Sequence, residues 1–280
     1  MSEEPHRKTE ANVSVIAVIF LVTLTVVSAG SLFVAVTEFG IPEPEYPPFE
    51  DDESPFAVEY VEGTLTGNAD KTALYDSATG EESEYRFEGG GGSPPSVDGG
   101  VREKIEEFQG HPLPPDSFAG GKVRVPTGDY YVDSGSTVSW WSWSGGKVVF
   151  DTTDGPVRIA VADEGDVSAG DVSFKVEGSH PVEFHLDWSS EPLDFYVFDS
   201  TFENHRTDAI RIYGRSDGEY PTDITFEDTE FRGIVYAPGT TVEFEDSTVY
   251  GASVADETVL DGSSYYHDEN LERFGTDVLP

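Results

Sequence analysis

Cysteine is absent from this chain of 280 residues, and the single methionine is the initiator. Disulfides, thiolate nucleophiles and cysteine-ligated zinc sites are therefore excluded. Basic residues are scarce, with 16 Lys and Arg against 55 Asp and Glu, and the formal net charge is −39. So acidic a chain repels phosphate backbones, and we expect no nucleic acid as a partner. The sequence also lacks the G-x-S-x-G, Walker A, G-x-G-x-x-G and H-E-x-x-H motifs, and we expect no cofactor.

The excess of acid predicts adaptation to brine. Aromatic residues make up 12% of the chain, and apolar alternation recurs along it, so the composition indicates a fold rather than disorder. A folded surface of this charge repels itself in dilute buffer, whereas multimolar salt shortens the Debye length to about 3 Å or less. We therefore expect a halophilic archaeal protein, with an acidic surface protein of a mesophile as the alternative.

One long apolar run predicts a membrane anchor. Val13–Val36 contains 24 residues without a charge. A transmembrane helix needs about 20 apolar residues, whereas the core of a signal peptide has about 7–15. We therefore expect Val13–Val36 to be a retained helix in the lipid bilayer. Because Arg7 and Lys8 precede it and the next basic residue is Lys71, the positive-inside rule places the leader, residues 1–12, in the cytoplasm and the C-terminal part outside.

Composition also divides the remaining chain into predicted segments. Val101, Ile105 and Phe108 recur at helical spacing and predict a short helix over 101–109. Proline and like charges favour extended chain, and Gly-rich runs favour linkers. The predicted segments are an acidic Pro-rich stalk (37–55), a short β segment (56–88), a Gly/Pro linker with the helix (89–121), a strand-rich ectodomain (122–272) and a tail (273–280).

Residues 122–272 alternate apolar and polar side chains with a period of two, which predicts a mainly β fold. Val182, Phe184 and Leu186 exemplify the apolar positions, and we expect Glu183 and His185 between them to face water. Strand-like segments recur every 10–15 residues without helices or Asn-Gly hairpin turns between them. This spacing favours a right-handed parallel β-helix, a solenoid of stacked coils, with an antiparallel β-sandwich as the alternative.

Two polar clusters contain residue types that occur in functional sites. His180, Glu183, His185 and Asp187 are residue types that bind metals, but alternation alone explains them as a wet face, and we predict no metal site. The second cluster, NHRTD at 204–208 with Arg211, contains types that β-helix polysaccharide hydrolases use.

Asp208 of the second cluster and Asp199, which precedes that cluster, are the pair that a glycosidase would need roughly 5–10 Å apart. No hydrolase motif surrounds them, so we predict no catalytic residues. Trp140, Trp141 and Trp143 alternate, which leaves at least one ring near the surface for a sugar or a partner protein unless it is buried under the helix.

Several short motifs carry a family resemblance. Gly233–Pro238, Tyr250-Gly251 and Tyr266–Glu269, with the strands at 123–135 and 147–161, resemble the C-terminal β-rich domain of haloarchaeal pilin-like and bacterial pilus-assembly, minor-pilin-like proteins. That likeness covers about residues 120–272. The run from Glu10 to Val36 resembles the N-terminal helix of the pilin-like proteins. The resemblance implies a cell-surface or filament-associated role and supplies no catalytic residues.

These observations together predict a non-enzymatic, membrane-anchored cell-surface protein of a halophilic archaeon, a pilin-like or pilus-associated structural or adhesion component. The expected partners are the bilayer, other pilin-like subunits and surface glycans. The alternative is a surface carbohydrate-active or carbohydrate-binding β-helix protein.

Overall fold

A computed structural model describes residues 54–62, 64–87, 94–111, 121–132, 143–162, 167–187, 195–215 and 223–280. The predicted leader, the anchor Val13–Val36 and the stalk up to residue 53 lie outside these ranges. The described residues all belong to one compact unit, Phe49–Pro280. Within them, no helix has the length and apolarity needed to cross a membrane.

The described chain is mainly β, as the alternation predicts, and sixteen of its strands join in one mixed sheet. There are also two α-helices, α1 (Val58–Glu62) and α2 (Asp98–Phe108), and two 3-10 helices, Glu269–Arg273 and Thr276–Val278. The strands are β1 (Leu65–Asn68), β2 (Lys71–Asp76), β3 (Glu81–Glu84), β4 (Lys122–Val125), β5 (Gly128–Val132), β6 (Trp143–Thr152), β7 (Val157–Ala162), β8 (Val167–Gly178), β9 (Val182–Asp187), β10 (Phe195–Phe198), β11 (Thr201–Phe202), β12 (Ile210–Arg215), β13 (Asp223–Glu227), β14 (Glu230–Glu245), β15 (Thr248–Asp261) and β16 (Ser264–Asp268).

The strands pair in three parallel series. The first runs β5, β7, β9 and β12 and continues through the middle of β14 and β15. The second runs β4, β6, β8 and β11, then through the start of β14 and β15 to β16. The third runs from the start of β8 through β10 and β13 to the end of β14 and β15. Parallel pairing of this kind is not the pattern of the antiparallel sandwich.

Aromatic side chains from paired strands pack against one another in the buried core. Phe226 and Phe244 are register partners on β13 and β14, and their rings stack with centroids 5.1 Å apart. Phe174 and Phe202 repeat the arrangement on β8 and β11 at 4.8 Å. Because these paired strands place aromatic residues at matching register positions, each ring packs against the ring of the neighbouring strand and helps to bury it.

Helix α2 covers the outer side of the first series. Its apolar residues Val101, Ile105 and Phe108 are buried, and it packs against β5, β7, β9 and β12. The expectation that Glu183 and His185 face water is therefore wrong, because His185 is only 1% exposed. Alternation correctly places these residues opposite Phe184, but it contains no information about a helix that packs on their face.

The strands that precede α2 complete the far end of the sheet. β1 pairs in parallel with the end of β15, and β2 pairs in parallel with β16. β3 then pairs antiparallel with β2, and its four residues are exposed. Helix α1 packs against β15, where Phe56 and Val61 are fully buried. Residues 54–87 thus form the last rows of a sheet whose other strands follow them in the sequence.

Candidate functional site

Most of the metal candidates lie on β9 under helix α2, and ion pairs with arginine account for the acidic ones. Asp187 binds Arg215 at 2.6 Å, and Glu183 lies 3.2 Å from Arg158. His180 is exposed in the turn before β9. The described residues include no group of three or more His, Asp or Glu side chains placed to hold a metal ion.

The covered face carries a row of alternating charges across neighbouring strands. Arg158 Nη1 lies 3.1 Å from Asp129 Oδ1, and Arg158 Nε lies 3.2 Å from Glu183 Oε2. Glu183 Oε1 is 3.8 Å from Arg211 Nη1, and Arg211 Nη2 is 3.5 Å from Asp208 Oδ2. Each guanidinium therefore lies between two carboxylates, which offsets part of the cost of placing these charges under a helix.

Glu183 and His185 respond differently to the same burial. Burial alone would raise the pKa of Glu183, but His185, Arg211 and Arg158 together hold that pKa below its ordinary value. Burial lowers the pKa of His185, against the opposing effect of Glu183. Neither ring nitrogen of His185 has a hydrogen-bond partner among the described residues. The ring instead stacks on Tyr213 with centroids 5.5 Å apart.

The polysaccharide-hydrolase candidates separate into different places. Asp208 forms ion pairs with Arg206 at 2.8 Å and with Arg211 at 3.5 Å, just before β12. Despite burial, Arg206 and Arg211 hold the pKa of Asp208 below its ordinary value, whereas a general acid needs a raised one. Asp199 lies in the corner between β10 and β11, where it lines a shallow groove with other corner residues.

The neighbouring candidates have structural contacts. Asn204 is buried and donates from Nδ2 to the backbone oxygen of Arg232 at 2.9 Å. Thr207 Oγ1 donates to the buried carboxylate of Asp268, and His205 is exposed. Trp140 and Trp141 lie outside the described residues; Trp143 begins β6, and its side chain is likewise not described.

Two tyrosines of the resemblance motifs, Tyr250 and Tyr266, form a cation–aromatic stack with Arg232 and Lys71. Tyr250 and Tyr266 are register partners whose rings stack at 4.6 Å, 11° from parallel. Arg232 lies over the Tyr250 ring at 4.0 Å, and Lys71 lies over the Tyr266 ring at 4.6 Å. Because another group covers each outer ring face, these tyrosines offer no free face on which a sugar could stack.

A repeated corner is the feature that the sequence analysis missed. Asp171, Asp199, Asp228 and Asp246 have positive φ between 46° and 58°, and Gly262 has φ 60° at the equivalent corner. At three of these corners the Asp is followed directly by a Ser or Thr, and Gly262 is likewise followed by a Ser. The sequence signal for these corners is a repeated pair, Asp-Ser, Asp-Thr, Asp-Ser or Gly-Ser. One further residue separates each pair from an apolar or aromatic residue.

The Ser and Thr of these corners form a buried ladder of hydrogen bonds. The backbone N–H of Ser200 donates to Thr229 Oγ1 at 3.4 Å, and that of Thr229 donates to Ser247 Oγ at 3.0 Å. The N–H of Ser247 donates to Ser263 Oγ at 2.9 Å. Each hydroxyl in turn donates to a carbonyl, so the ladder satisfies buried backbone groups at every corner.

Acidic side chains form a column on the outer side of the third series. Glu227, Glu245 and Asp261 are register partners on β13, β14 and β15. Adjacent strands lie about 4.8 Å apart, so the carboxylates stand close together. Repulsion from Glu227 is the main cause that raises the pKa of Glu245. No lysine or arginine of the described chain forms an ion pair with the three.

The model of a family described as a domain of unknown function, DUF7305, matches residues 80–274, more than half of the chain. No curated protein and no solved structure matches the chain.

Proposed function

The chain belongs to the DUF7305 family, a domain of unknown function, and from its own residues we propose that it is a non-enzymatic, membrane-anchored cell-surface protein of a halophilic archaeon. Val13–Val36 holds it in the lipid bilayer with the N-terminus in the cytoplasm. The strand-rich part lies outside the cell, where it serves as a pilin-like or pilus-associated structural or adhesion component.

The proposed architecture of the outer part is a right-handed parallel β-helix. Support comes from the order in which the chain visits the three series: β10 in the third, β11 in the second, β12 in the first, then β13 in the third again. β14 and β15 each contribute to all three series in the same order. Each turn of the chain then adds one row, and parallel crossovers of this kind are right-handed in about 98% of cases.

The acidic column Glu227, Glu245 and Asp261 is the observation that carries the proposal of a brine-exposed surface. Strands in register place like charges side by side in successive rows, an arrangement that weakens a sheet in dilute buffer. At salt above 1 M the Debye length is about 3 Å, shorter than the spacing between rows, and the repulsion is screened. A protein that faces brine bears such a column at little cost.

The contacts of the candidate catalytic and binding side chains support a non-enzymatic role. The carboxylates of Glu183, Asp187 and Asp208 are engaged by arginine. The pKa of Asp208 is lowered, which keeps it ionised and suits an ion pair better than proton donation. The rings of Tyr250 and Tyr266 are stacked against cations and each other. These contacts are structural in kind.

Fractionation and protease treatment of intact cells test the location. We expect the protein in the membrane fraction, with an antibody against residues 122–272 losing its target when whole cells are treated with protease. An N-terminal tag should stay protected. Leu24→Lys should release the protein from the membrane, and Leu24→Ile should leave it there. Recovery of the unaltered chain in the cytosol, or protection of residues 122–272 on intact cells, would overturn the proposal.

A further inference from the structure

Two short strands, β3 and β4, stand at opposite ends of the sheet's pairing order, and each has one edge that no described strand covers. Within the described chain β3 pairs with β2 alone, and β4 pairs with β6 alone. All four residues of β3 are exposed, and β4 alternates exposed and buried residues. Such an edge presents unpaired backbone N–H and C=O groups, which are a template for another strand.

The outer edge of β3 is acidic. The N–H of Tyr85, the residue after β3, donates to the carbonyl of Thr72 on β2 at 3.2 Å. The backbone groups of successive strand residues point to opposite sides, so those of Glu82 and Glu84 point away from β2, toward the outer edge. With Glu81, three of the four residues of β3 are glutamates.

The outer edge of β4 is basic, in a chain that has only 16 Lys and Arg against 55 Asp and Glu. The carbonyl of Gly121 accepts from the N–H of Lys147 on β6 at 3.1 Å. The backbone groups of Lys122 and Arg124 therefore point to the outer edge. Both residues are exposed, whereas the two valines of β4 are buried. Two edges of like charge would repel each other, but these two edges carry opposite charges.

The direction of the strands and the faces of their charged side chains also match. The second series is parallel from β4 to β16 and on to β2, whereas β3 is antiparallel to β2. A second copy stacked along the same axis would therefore place its β4 antiparallel to β3. Register partners share a face of the sheet. They connect Lys122 to Lys71 through Lys147, Ser173, Thr201, Glu230, Thr248 and Ser264. Lys71 binds Glu82 at 2.7 Å, so the side chains of Glu82 and Glu84 lie on the same face as that of Lys122.

We propose that copies of this protein join end to end, with the outer edge of β3 in one copy pairing antiparallel with the outer edge of β4 in the next. Full overlap of the two four-residue strands places Glu84 opposite Lys122 and Glu82 opposite Arg124, and in both pairs the backbone groups face each other. No described side chain forms an ion pair with Glu84 or Lys122 within the single chain.

The contact is head-to-tail, because the two edges differ. Repeated along one axis, such a contact gives an open filament rather than a closed dimer. The inference rests on the proposed structural role, and its partner is a second copy of this chain.

Introduced cysteines can trap this contact, because the chain has none of its own. Glu84→Cys and Lys122→Cys, at two exposed positions, are made in separate full-length chains with different tags. Opposite residues whose backbone groups bond each other have Cα atoms about 5.5 Å apart, within the roughly 4.4–6.8 Å that a disulfide spans. Glu82 and Arg124 stay unaltered. The matched control is Thr201→Cys, exposed on β11 in the same series but inside the sheet.

The folded chains are mixed in detergent and oxidised in multimolar salt, which screens the repulsion between copies of net charge −39. We expect the heterodimer of Glu84→Cys with Lys122→Cys at least tenfold above that of Glu84→Cys with Thr201→Cys. Heterodimer at the control level would overturn end-to-end pairing. More Glu84→Cys homodimer than heterodimer would also overturn it, because β3 would then pair with itself. Purified protein gives this result whatever its location in the cell, so failure here and failure of the proposed function are distinguishable.

Discussion

Gly251 lies beside Gly233 in the adjacent row, so close that a Cβ on Gly251 would stand 1.8 Å from the carbonyl oxygen of Gly233. Gly251 also has φ +141°, a conformation that L side chains rarely adopt. The two glycines belong to the two motifs, G-I-V-Y-A-P and Y-G, on which the sequence resemblance rests. In this chain those motifs mark one contact, the place where β15 packs against β14 without a side chain between them.

Gly251→Ala should destabilise the protein by roughly 2–4 kcal/mol, because strain at positive φ adds to a clash with backbone atoms. Gly99→Ala is the matched control, since nothing lies within 4 Å of a Cβ at Gly99 in helix α2. There, alanine should be neutral or stabilise by up to about 1 kcal/mol. Denaturant unfolding in multimolar salt measures both. A Gly251→Ala protein as stable as the unaltered chain would contradict the close packing of these rows.

Ser247→Ala should cost roughly 1–3 kcal/mol, because it removes one step of the buried corner ladder. Ser247 Oγ accepts from the N–H of Thr229 at 3.0 Å and donates to the carbonyls of Phe226 and Glu245. Alanine would leave the Thr229 N–H buried without its partner. Thermal unfolding checks the effect, and Thr248→Ala, at the partly exposed next residue, should change stability by less than about 0.5 kcal/mol. Equal losses of stability in the two variants would contradict a stabilising role of the hydrogen-bond ladder.

Local patterns predict the strands well and the surroundings of their outer faces poorly. Alternation identifies Val182, Phe184 and Leu186 as inward residues, and all three are buried. It places His185 on the opposite face correctly, but that face is covered by α2, about 80 residues earlier in the chain. No period in a single sequence reports such a contact.

The pairing of β2 with β16 shows the same limit of sequence patterns, over a larger separation in the chain. The strand-like run around Ala73 predicts a strand, but its partner β16 lies nearly 200 residues away. The corner residues differ, because their repeated Asp-Ser and Asp-Thr pairs are visible in the sequence. Asp tolerates positive φ, and Ser or Thr binds nearby backbone groups, so a repeat of these pairs can indicate corners from the sequence alone.

His185 should make the protein less stable as the pH is lowered below about 6.5, the ordinary pKa of the side chain. Burial lowers its pKa in the folded protein below the ordinary value of 6.5. As pH falls through 6.5 the unfolded chain therefore binds a proton that the folded chain refuses, and stability decreases. His185→Gln should flatten this part of the profile, whereas His205→Gln, at an exposed position, should not. Unfolding curves at pH 7.5, 6.5, 5.5 and 5 check it, and an unchanged slope in His185→Gln would contradict the prediction.

The most direct test of a brine-adapted acidic surface is the salt dependence of unfolding. The measurement compares the unaltered chain with Glu245→Gln in the acidic column. Removing the middle carboxylate of Glu227, Glu245 and Asp261 should raise the melting temperature at low salt, because Glu227 and the other acids repel Glu245. That gain should vanish in multimolar salt, and Glu81→Gln on exposed β3 should give a smaller gain. We predict that the unaltered protein is cooperative above about 2 M salt and loses stability steeply toward 50 mM, where screening weakens. A fold that is equally stable and cooperative near 50 mM, with no benefit from Glu245→Gln, would contradict the account.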